Sequence, residues 1–339
     1  MASAVGSSTR AATRRSDEPL KILTFPCHER YQSGLADVNA IFYLMQGEGI
    51  KTWNPTYAPL PANHILLNPS RGHNQLPREI EFDLLFSQTR FNHYQIMSKL
   101  ARECQLPLVT IEHTLPVPQW TTETRAQLRG MTGDIDVFIS EFSRGQWGWQ
   151  PNEARVVHHG IDTERFSPAP LLVRKQNHAL SVCNDWENRN WCCGFELWRD
   201  VVQNDIPVKV VGDTPGLSKP AASLHELVLR YREADVFLNT SLVSPIPTAL
   251  MEAMACGCAV VSTATAMIPE VIEHGVNGFI ANDPAALRAY ARELLRDGQL
   301  RQRLGEAARQ TIIDRFSLGC FVQNWTNVFQ EASKIVFRG

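Results

Sequence analysis

The chain lacks the features that mark several classes of protein. No apolar run approaches the roughly 20 residues that a membrane span requires. The eight cysteines show no C-x-x-C spacing, which is typical of zinc and redox sites, and the ten histidines show no H-E-x-x-H spacing, which is typical of a metal-binding helix. We therefore expect no transmembrane segment, no bound metal and no organic cofactor. The simplest interpretation is a cytoplasmic protein with reduced, buried thiols.

Neither sign of charge is in excess. Residues 1–165 carry 16 Lys and Arg against 17 Asp and Glu, and residues 166–339 carry 17 against 18. A balanced chain has no extended basic field that would hold nucleic acid or an anionic membrane. We expect no strong interaction with nucleic acid, while peripheral contact with a membrane stays open.

The first 19 residues are rich in Ala, Ser and Thr and contain three arginines. They lack the apolar core of a secretory signal, so we predict a disordered tail, with a transit peptide as the alternative. The full length of 339 residues is sufficient for two domains of ordinary size.

Apolar segments of strand length alternate with helical segments, which predicts an α/β fold with parallel sheets. In the first half the predicted strands are 20–25, 50–53, 64–67, 82–86, 108–111 and 137–140, and the helices are 38–45 and 92–104. In the second half the strands are 179–182, 208–211, 235–240 and 259–262, and the helices are 195–202, 224–233, 248–255, 284–296, 300–315 and 321–335. The pattern restarts between 166 and 177. We predict two Rossmann-like domains facing a central cleft, over residues 20–168 and 169–318, with 319–339 as a final helix.

Residues 235–262 are the most informative part of the chain. A buried strand ends in a proline-containing loop, an Ala-, Leu- and Met-rich helix follows, and Gly257 separates that helix from a second strand. In such βαβ units ligands lie beyond the carboxyl ends of the strands, near helix N-termini. We expect the amides of Thr248 and Ala249 to hold a phosphate group.

Three motifs lie in and after this unit. They are Glu252-Ala-Met-Ala-Cys-Gly257, Ile268-Pro-Glu270 and Gly275-Val-Asn-Gly278. Together they resemble the donor site of family 4 (group 1) retaining glycosyltransferases of GT-B fold. The resemblance implies a UDP- or GDP-linked sugar as the donor, with Glu252 on its ribose hydroxyls, and a last helix that crosses back onto the N-terminal domain. Without the family, Glu252 would be interpreted as a solvated helix glutamate.

The chain departs from the family pattern at two places. The family has two glutamates eight residues apart, and the first of these positions is Ser244 here. A serine can still form a hydrogen bond with the donor sugar, so Ser244 is predicted to line the site, but it lacks the charge and reach of glutamate. Ala266 and Met267 replace the family's glycine pair, which bears on how closely the backbone approaches the ligand.

A polar loop follows the first strand of the second half. The family places Arg and Lys five residues apart there, on the donor diphosphate, and this chain has Asn184 and Arg189. The guanidinium of Arg189 suits a diphosphate because it donates two parallel hydrogen bonds. A surface charge is the alternative for Arg189. We predict that Asn184, Arg189 and Gly212, which follows the next strand, bind the donor.

Three residues of the first half are candidates for the reaction and the acceptor. His113 follows a buried strand, where the family often has a histidine close to the sugar. A structural histidine with satisfied hydrogen bonds is the alternative. His28 and Arg30 lie in the polar loop after the first strand, and we predict that they bind the acceptor.

Three acidic residues are secondary candidates. Glu270 could lie near the donor or cap the helix that begins beside it. Asp134 and Asp136 look like the metal-binding pair of another glycosyltransferase fold, but polar entry into the strand that follows is the better interpretation.

The predicted function is retaining transfer of a sugar from a nucleotide diphosphate sugar to a hydroxyl of a glycan or glycoconjugate. His113, Arg189 and Glu252 are the predicted catalytic residues. A degenerate protein that binds nucleotide or glycan without transfer is one alternative. Glycosylation of a hydroxylated nucleic-acid base is another, and the even charge argues mildly against it.

Overall fold

The computed structural model describes residues 18–70, 76–77, 79–90, 93–117, 119–168, 177–244 and 246–336. The chain divides into two compact units. The N-terminal unit comprises the chain up to Ile139, Arg144–His158 and the chain from Phe321. The C-terminal unit comprises Ser140–Ser143 and His159–Cys320. Most of the predicted tail and most of the predicted 166–177 boundary lie outside the described residues, so both stay predictions.

The N-terminal unit is built on a parallel sheet. Its strands are β1 (Leu20–Thr24), β2 (Ala40–Leu44), β3 (His64–Leu66), β4 (Leu84–Ser87), β5 (Leu108–Glu112), β6 (Ile135–Phe138) and β7 (Arg155–Val156). They lie in the order β3-β2-β1-β4-β5-β6-β7, and every pairing is parallel. Its helices are α1 (Glu29–Ser33), α2 (His93–Cys104) and α3 (Thr122–Arg129), with a 3-10 helix over Gly34–Asp37. Helix α4 (Glu141–Gln146) begins in the Ser140–Ser143 segment of the C-terminal unit.

The prediction of a helix over residues 38–45 is wrong. Ala40–Leu44 pairs in parallel with β1 along its whole length. Phe42 and Leu44 are fully buried, and a short apolar segment covered on both faces suits a central strand better than a helix. The predicted strand at 50–53 is a loop, in which the Trp53 indole nitrogen donates to the carbonyl of Ala58 at 3.0 Å.

The last helix, α12 (Leu318–Ala332), packs an aromatic face against the N-terminal unit. Trp325 is fully buried, and its indole nitrogen donates to the phenolic oxygen of Tyr31 at 2.9 Å. Its ring lies 4.9 Å from that of Phe86, which is in β4. The helix therefore returns to the N-terminal unit, in agreement with the sequence prediction.

The C-terminal unit contains a second parallel sheet. Its strands are β8 (Ala179–Val182), β9 (Val208–Val211), β10 (Val236–Asn239), β11 (Ala259–Ser262) and β12 (Phe279–Ile280), in the order β12-β11-β10-β8-β9. The helices are α5 (Asn190–Cys193), α6 (Phe195–Val202), α7 (Leu224–Glu233), α8 (Thr248–Ala255), α9 (Ile268–Val271), α10 (Pro284–Arg296) and α11 (Gly298–Phe316). The strands and helices predicted for this half lie where the sequence placed them.

Helices cover both faces of the second sheet. Along β10, Phe237 faces a cluster with Met254 of α8, while Leu238 faces a cluster with Trp198 of α6. This alternation buries the strand on both sides, so polar groups can reach solvent only at its ends. Among the described residues, no helix combines the length and the apolar character that crossing a bilayer requires.

Candidate functional site

Glu252 lies in the second turn of α8, half-buried, and a neighbouring helix holds its carboxylate. The phenol of Tyr231, in α7, donates to Glu252 Oε2 at 2.8 Å. Tyr231 is fully buried, and burial, followed by the charge of Glu252, raises the pKa of its phenol. The phenol therefore stays a neutral donor that orients the carboxylate without cancelling its charge. The sequence analysis missed Tyr231, because a tyrosine on the buried side of an amphipathic helix gives no signal of its partner.

The loop before α8 brings Ser244, Thr248 and Ala249 next to the start of that helix. The Ser244 hydroxyl donates to the carbonyl of Ile246 at 2.9 Å, so it also shapes its own turn. Pro247 is the N-cap residue and provides no side-chain cap. The amide of Thr248 donates to the carbonyl of Ile246 at 3.1 Å. The amides that follow at a helix start point out of its end, where they can donate to a negatively charged group.

The ends of β8 and β9 bring Asn184, Arg189 and Gly212 together. Asn184 Oδ1 accepts from the amide of Asp213 at 3.3 Å, which joins the two strand ends. Arg189 is exposed and donates to the carbonyl of Asn184 at 3.4 Å. Gly212 has a φ of +143°, and a Cβ there would lie 1.8 Å from the carbonyl oxygen of Cys183. Only glycine fits this close approach. The approach therefore explains why residue 212 is a glycine better than a ligand contact alone would.

The loops after β8 and β10 are hydrogen-bonded to each other. The amides of Leu242 and Val243 both donate to the carbonyl of Cys192, at 2.8 and 3.1 Å. The strands β9, β8 and β10 are neighbours in the parallel sheet. The predicted donor residues of the C-terminal unit therefore all lie beyond the carboxyl ends of adjacent strands. The structure thus gathers candidates that are up to 68 positions apart in the sequence, from Asn184 to Glu252.

The carboxylate of Glu270 lies at the start of α4, and its place near the donor stays a prediction. Its carboxylate oxygens accept from the amides of Glu141 and Phe142 at 3.0 and 2.5 Å, so it caps α4 rather than the helix beside it. Ala266, which replaces a family glycine, has a φ of +50°. The backbone has therefore kept a left-handed conformation that suits glycine, although the residue has changed.

The N-terminal unit brings His28 and His113 together. Their rings meet edge to face at 4.7 Å, and the buried Tyr31 ring lies 4.6 Å from that of His113. Burial, with the charge of Lys51, lowers the pKa of His28, so its imidazole is neutral at pH 7. Arg30 and Tyr31 lie in the short helix α1, and the Arg30 side chain is exposed.

Three acidic side chains of the N-terminal unit form hydrogen bonds or an ion pair within the fold. Glu112 is buried and accepts from Arg90 Nε at 2.6 Å. Asp136 accepts from the Thr110 hydroxyl at 2.5 Å, and Asp134 accepts from the amide of Leu108 at 2.8 Å. These bonds agree with polar strand entry for Asp134 and Asp136. In the part of the chain that the structure describes, no three His, Cys, Asp or Glu side chains are arranged to hold a metal ion.

Solved structures share the architecture of this chain. Anabaena HepE, crystallised with UDP and in another crystal with UDP-glucose, superposes with a TM-score of 0.71 for the UDP complex. The alignment covers 92% of this chain and 100% of HepE at 17% identity. Identity this low shows the fold alone, and the fold is GT-B, as predicted.

Sequence comparisons relate part of the C-terminal unit to a known family. Residues 219–311 match the family model described as "Glycosyl transferases group 1". AmsK of Erwinia amylovora, an amylovoran biosynthesis glycosyltransferase, is 44% identical over 187 residues, which cover 45% of this chain and 44% of AmsK. WcaL of Salmonella typhimurium, described as a colanic acid biosynthesis glycosyltransferase, is 31% identical over 199 residues, 48% of each chain. The chain spans about half the length of these curated relatives. The resemblance to group 1 glycosyltransferases is thereby confirmed. The comparisons do not say whether the chain belongs to family 4 within that group.

Proposed function

We propose that the protein transfers a sugar from a nucleotide diphosphate sugar to a hydroxyl acceptor, with retention of configuration at the anomeric carbon. The observation that carries this proposal is Glu252, which a buried phenol orients at the strand-end edge of the second sheet. Glu252 and Tyr231 both fall within the segment that matches group 1 glycosyltransferases. The HepE structures contain UDP and UDP-glucose, which supports a UDP-linked donor here.

Each donor residue has a distinct role in the proposed complex. Glu252 accepts hydrogen bonds from the two ribose hydroxyls. Arg189 and the first amides of α8 stabilise the negative charge that develops on the leaving diphosphate. The acceptor hydroxyl attacks on the face from which the diphosphate departs, so no side chain of the protein forms a bond to the sugar.

Ser244 supports a donor sugar that differs from the family's usual one. A glutamate at this position would offer a charged acceptor to a sugar hydroxyl, whereas the Ser244 hydroxyl is neutral, shorter and engaged with Ile246. We infer that sugar recognition at this position is weaker or directed at another hydroxyl.

His28 and His113 support an acceptor site in the N-terminal unit. They are polar side chains after β1 and β5, and ligands of parallel sheets bind beyond such strand ends. A neutral imidazole such as that of His28 can both donate to and accept from a sugar hydroxyl. We propose a carbohydrate or glycoconjugate acceptor, and a cytoplasmic location for the reaction.

Thermal stabilisation by UDP, GDP, ADP and CMP tests the donor site. At a concentration one hundredfold above its dissociation constant, a ligand should add about 2.7 kcal/mol to the unfolding free energy. We expect stabilisation by one nucleotide, UDP first, in wild type and in Glu293→Ala, which removes an exposed glutamate of α10. Glu252→Ala should abolish it.

A second measurement separates transfer from binding. Wild type incubated with a panel of UDP-linked sugars should release UDP slowly from at least one of them, and Glu252→Ala should not. Stabilisation by UDP without release from a panel of UDP-linked sugars would support a protein that binds without transfer. If no nucleotide stabilises wild type, the donor-site proposal fails.

A further inference from the structure

The strand β3, at one end of the sheet of the N-terminal unit, carries exposed apolar side chains. Ile65 and Leu66, in the strand itself, are 42% and 37% exposed. Tyr57 and Leu60, in the loop that leads into the strand, are 56% and 38% exposed. These four side chains, referred to below as the edge patch, all lie within residues 57–66. Exposed apolar side chains that cluster in this way usually mark an interaction surface.

The loop of the edge patch is fixed to the strand by Trp53. The buried indole of Trp53 donates to the carbonyl of Ala58 at 3.0 Å. Its ring lies 5.9 Å from that of His64, the first residue of β3. Tyr57 and Leu60, on either side of Ala58, are therefore held close to the start of the strand.

The backbone of β3 is paired on one side. Among the residues that the structure describes, β3 pairs with β2 alone. The amide of Phe42 donates to the carbonyl of Asn63 at 2.8 Å. The amide of Leu67 donates to the carbonyl of Leu44 at 2.9 Å. Because backbone groups alternate in direction along a strand, those of Leu66 point away from β2, towards the outer edge of the sheet.

The two strand residues of the edge patch indicate what kind of partner fits it. Ile65 and Leu66 are adjacent, so their side chains point to opposite faces of the sheet. A flat surface such as a bilayer would lie against one face and cover one of the two. A strand that pairs edge to edge extends both faces of the sheet and covers both side chains. The exposure of both therefore favours a strand as the partner.

The absence of charge around the edge patch favours a partner with the same surface. Residues 52–70 contain no Lys, Arg, Asp or Glu. The preceding residue, Lys51, forms an ion pair with Glu29. Edge strands are often protected from pairing by charged side chains. In a two-fold contact each surface meets its own copy, so like charges would face each other and repel. A surface without charges can meet itself without this repulsion.

We propose that β3 pairs antiparallel with β3 of a second copy of this chain, about a two-fold axis at Leu66. The amide of each Leu66 then donates to the carbonyl of the other, and the two seven-stranded sheets become continuous. The two edge patches cover each other. Because β3 has only three residues, the contact is small, and the dimer is reversible rather than obligate. This inference does not depend on the proposed function.

Sedimentation velocity of the full-length chain, from about 1 to about 100 μM, tests the pairing. The mass of wild type should rise with concentration from 38.1 kDa towards twice that value. Leu66→Lys places two like charges opposite each other, so association should weaken at least about tenfold. An equimolar mixture of Leu66→Lys and Leu66→Glu should associate again. The control is Ile96→Lys, at a 40% exposed position in α2 of the same unit, which should dimerise as wild type does.

Hydrogen exchange in wild type tests the same pairing without a substitution. The Leu66 amide should exchange more slowly at about 100 μM than at about 1 μM, because the partner's carbonyl then accepts from it. The amide of Leu67, which already donates to β2, should exchange at the same rate at both concentrations.

Three results would overturn the pairing. Wild type could stay monomeric over the whole range, or Leu66→Lys could dimerise as well as wild type. Monomeric wild type could instead float with vesicles of phosphatidylcholine and phosphatidylglycerol, which would assign the edge patch to a bilayer. If Leu66→Lys unfolds at a lower urea concentration than wild type, the exchange of the Leu66 amide decides alone. Leu66 takes no part in the proposed donor site, so failure of either proposal leaves the other standing.

Discussion

The two units treat the charged groups at their strand ends in opposite ways. In the N-terminal unit Glu112, at the end of β5, is buried against the guanidinium of Arg90 at 2.6 Å. In the C-terminal unit Glu252 accepts from the neutral phenol of Tyr231, and Arg189 donates to a main-chain carbonyl. A charge that the fold has already paired contributes little to a ligand, whereas one held by a neutral partner keeps its field. The comparison indicates that the charge of Glu112 serves the fold of the first unit, whereas Glu252 and Arg189 are the charged groups that we propose for binding in the second.

Removing Arg90 should have the largest effect. Both members of its pair with Glu112 are under 5% exposed, so Arg90→Met would leave a buried carboxylate without its cation. Breaking such a pair costs about 3–5 kcal/mol of unfolding free energy. Urea titration of the full-length protein, followed by a signal from the N-terminal unit, would measure the loss of unfolding free energy. Adding Glu112→Gln to Arg90→Met should recover part of that loss.

An exposed pair in the same unit provides the control. Arg155 and Glu331 lie 2.6 Å apart but are each 47% exposed, so Arg155→Met should cost less than about 1 kcal/mol. Equal losses for the two arginine variants would contradict the view that the N-terminal unit depends on a buried charge pair.

Acid should weaken the N-terminal unit through its buried histidines. Burial lowers the pKa of His64 to about 4, and its ring stacks on Phe42 at 4.7 Å. Because the unfolded chain binds this proton near pH 6.5 and the folded chain does not, stability is full above that pH and falls between about 6.5 and 4. We expect a loss of about 2 kcal/mol from this residue between pH 7.5 and 5.

The variant His64→Phe keeps a ring against Phe42 and removes the titration. Its unfolding free energy should therefore change less with pH than that of wild type, although His28 and His93, whose pKa values are also lowered, still contribute. Urea titrations at pH 7.5 and 5 measure the difference. Identical pH dependence in both proteins would show that His64 is not responsible.

How far the sequence could be interpreted also differs between the units. The C-terminal unit has clear local signals of secondary structure, which are its apolar strands, Gly257 and a helix of Ala, Leu and Met. Each element predicted for this unit was found. In the N-terminal unit residues 38–45 were predicted as a helix, because a fully buried strand has no alternating pattern to separate it from one. The bond between Tyr231 and Glu252, 21 positions apart, depends on how two helices pack, which no local pattern records.

Tyr231→Phe tests the neutral partner directly. The substitution removes the donor to Glu252 and keeps the buried ring, and a hydrogen bond to a charged group makes a net contribution of about 1.5–3 kcal/mol. We expect roughly tenfold weaker nucleotide binding, equivalent to about 1.4 kcal/mol. Calorimetric titration with the nucleotide that stabilises wild type measures it. The control is Tyr290→Phe in α10, which should bind as wild type does.

Ala266→Gly should have the smallest effect, and it should be favourable. A left-handed conformation costs a non-glycine residue about 1–2 kcal/mol, while glycine loses about 0.5–1 kcal/mol more than alanine through the entropy of the unfolded chain. At a φ of +50° the first term is the larger, so the variant should gain less than about 1 kcal/mol. Ala264→Gly, in the same loop but without a positive φ, should instead lose stability. If both glycine variants were destabilised equally, the conformation of Ala266 would not be strained, and the loop would have adapted fully to the loss of the family's glycine. A gain at Ala266 alone would mean that this loop of the C-terminal unit keeps a left-handed conformation at a cost to the stability of the fold.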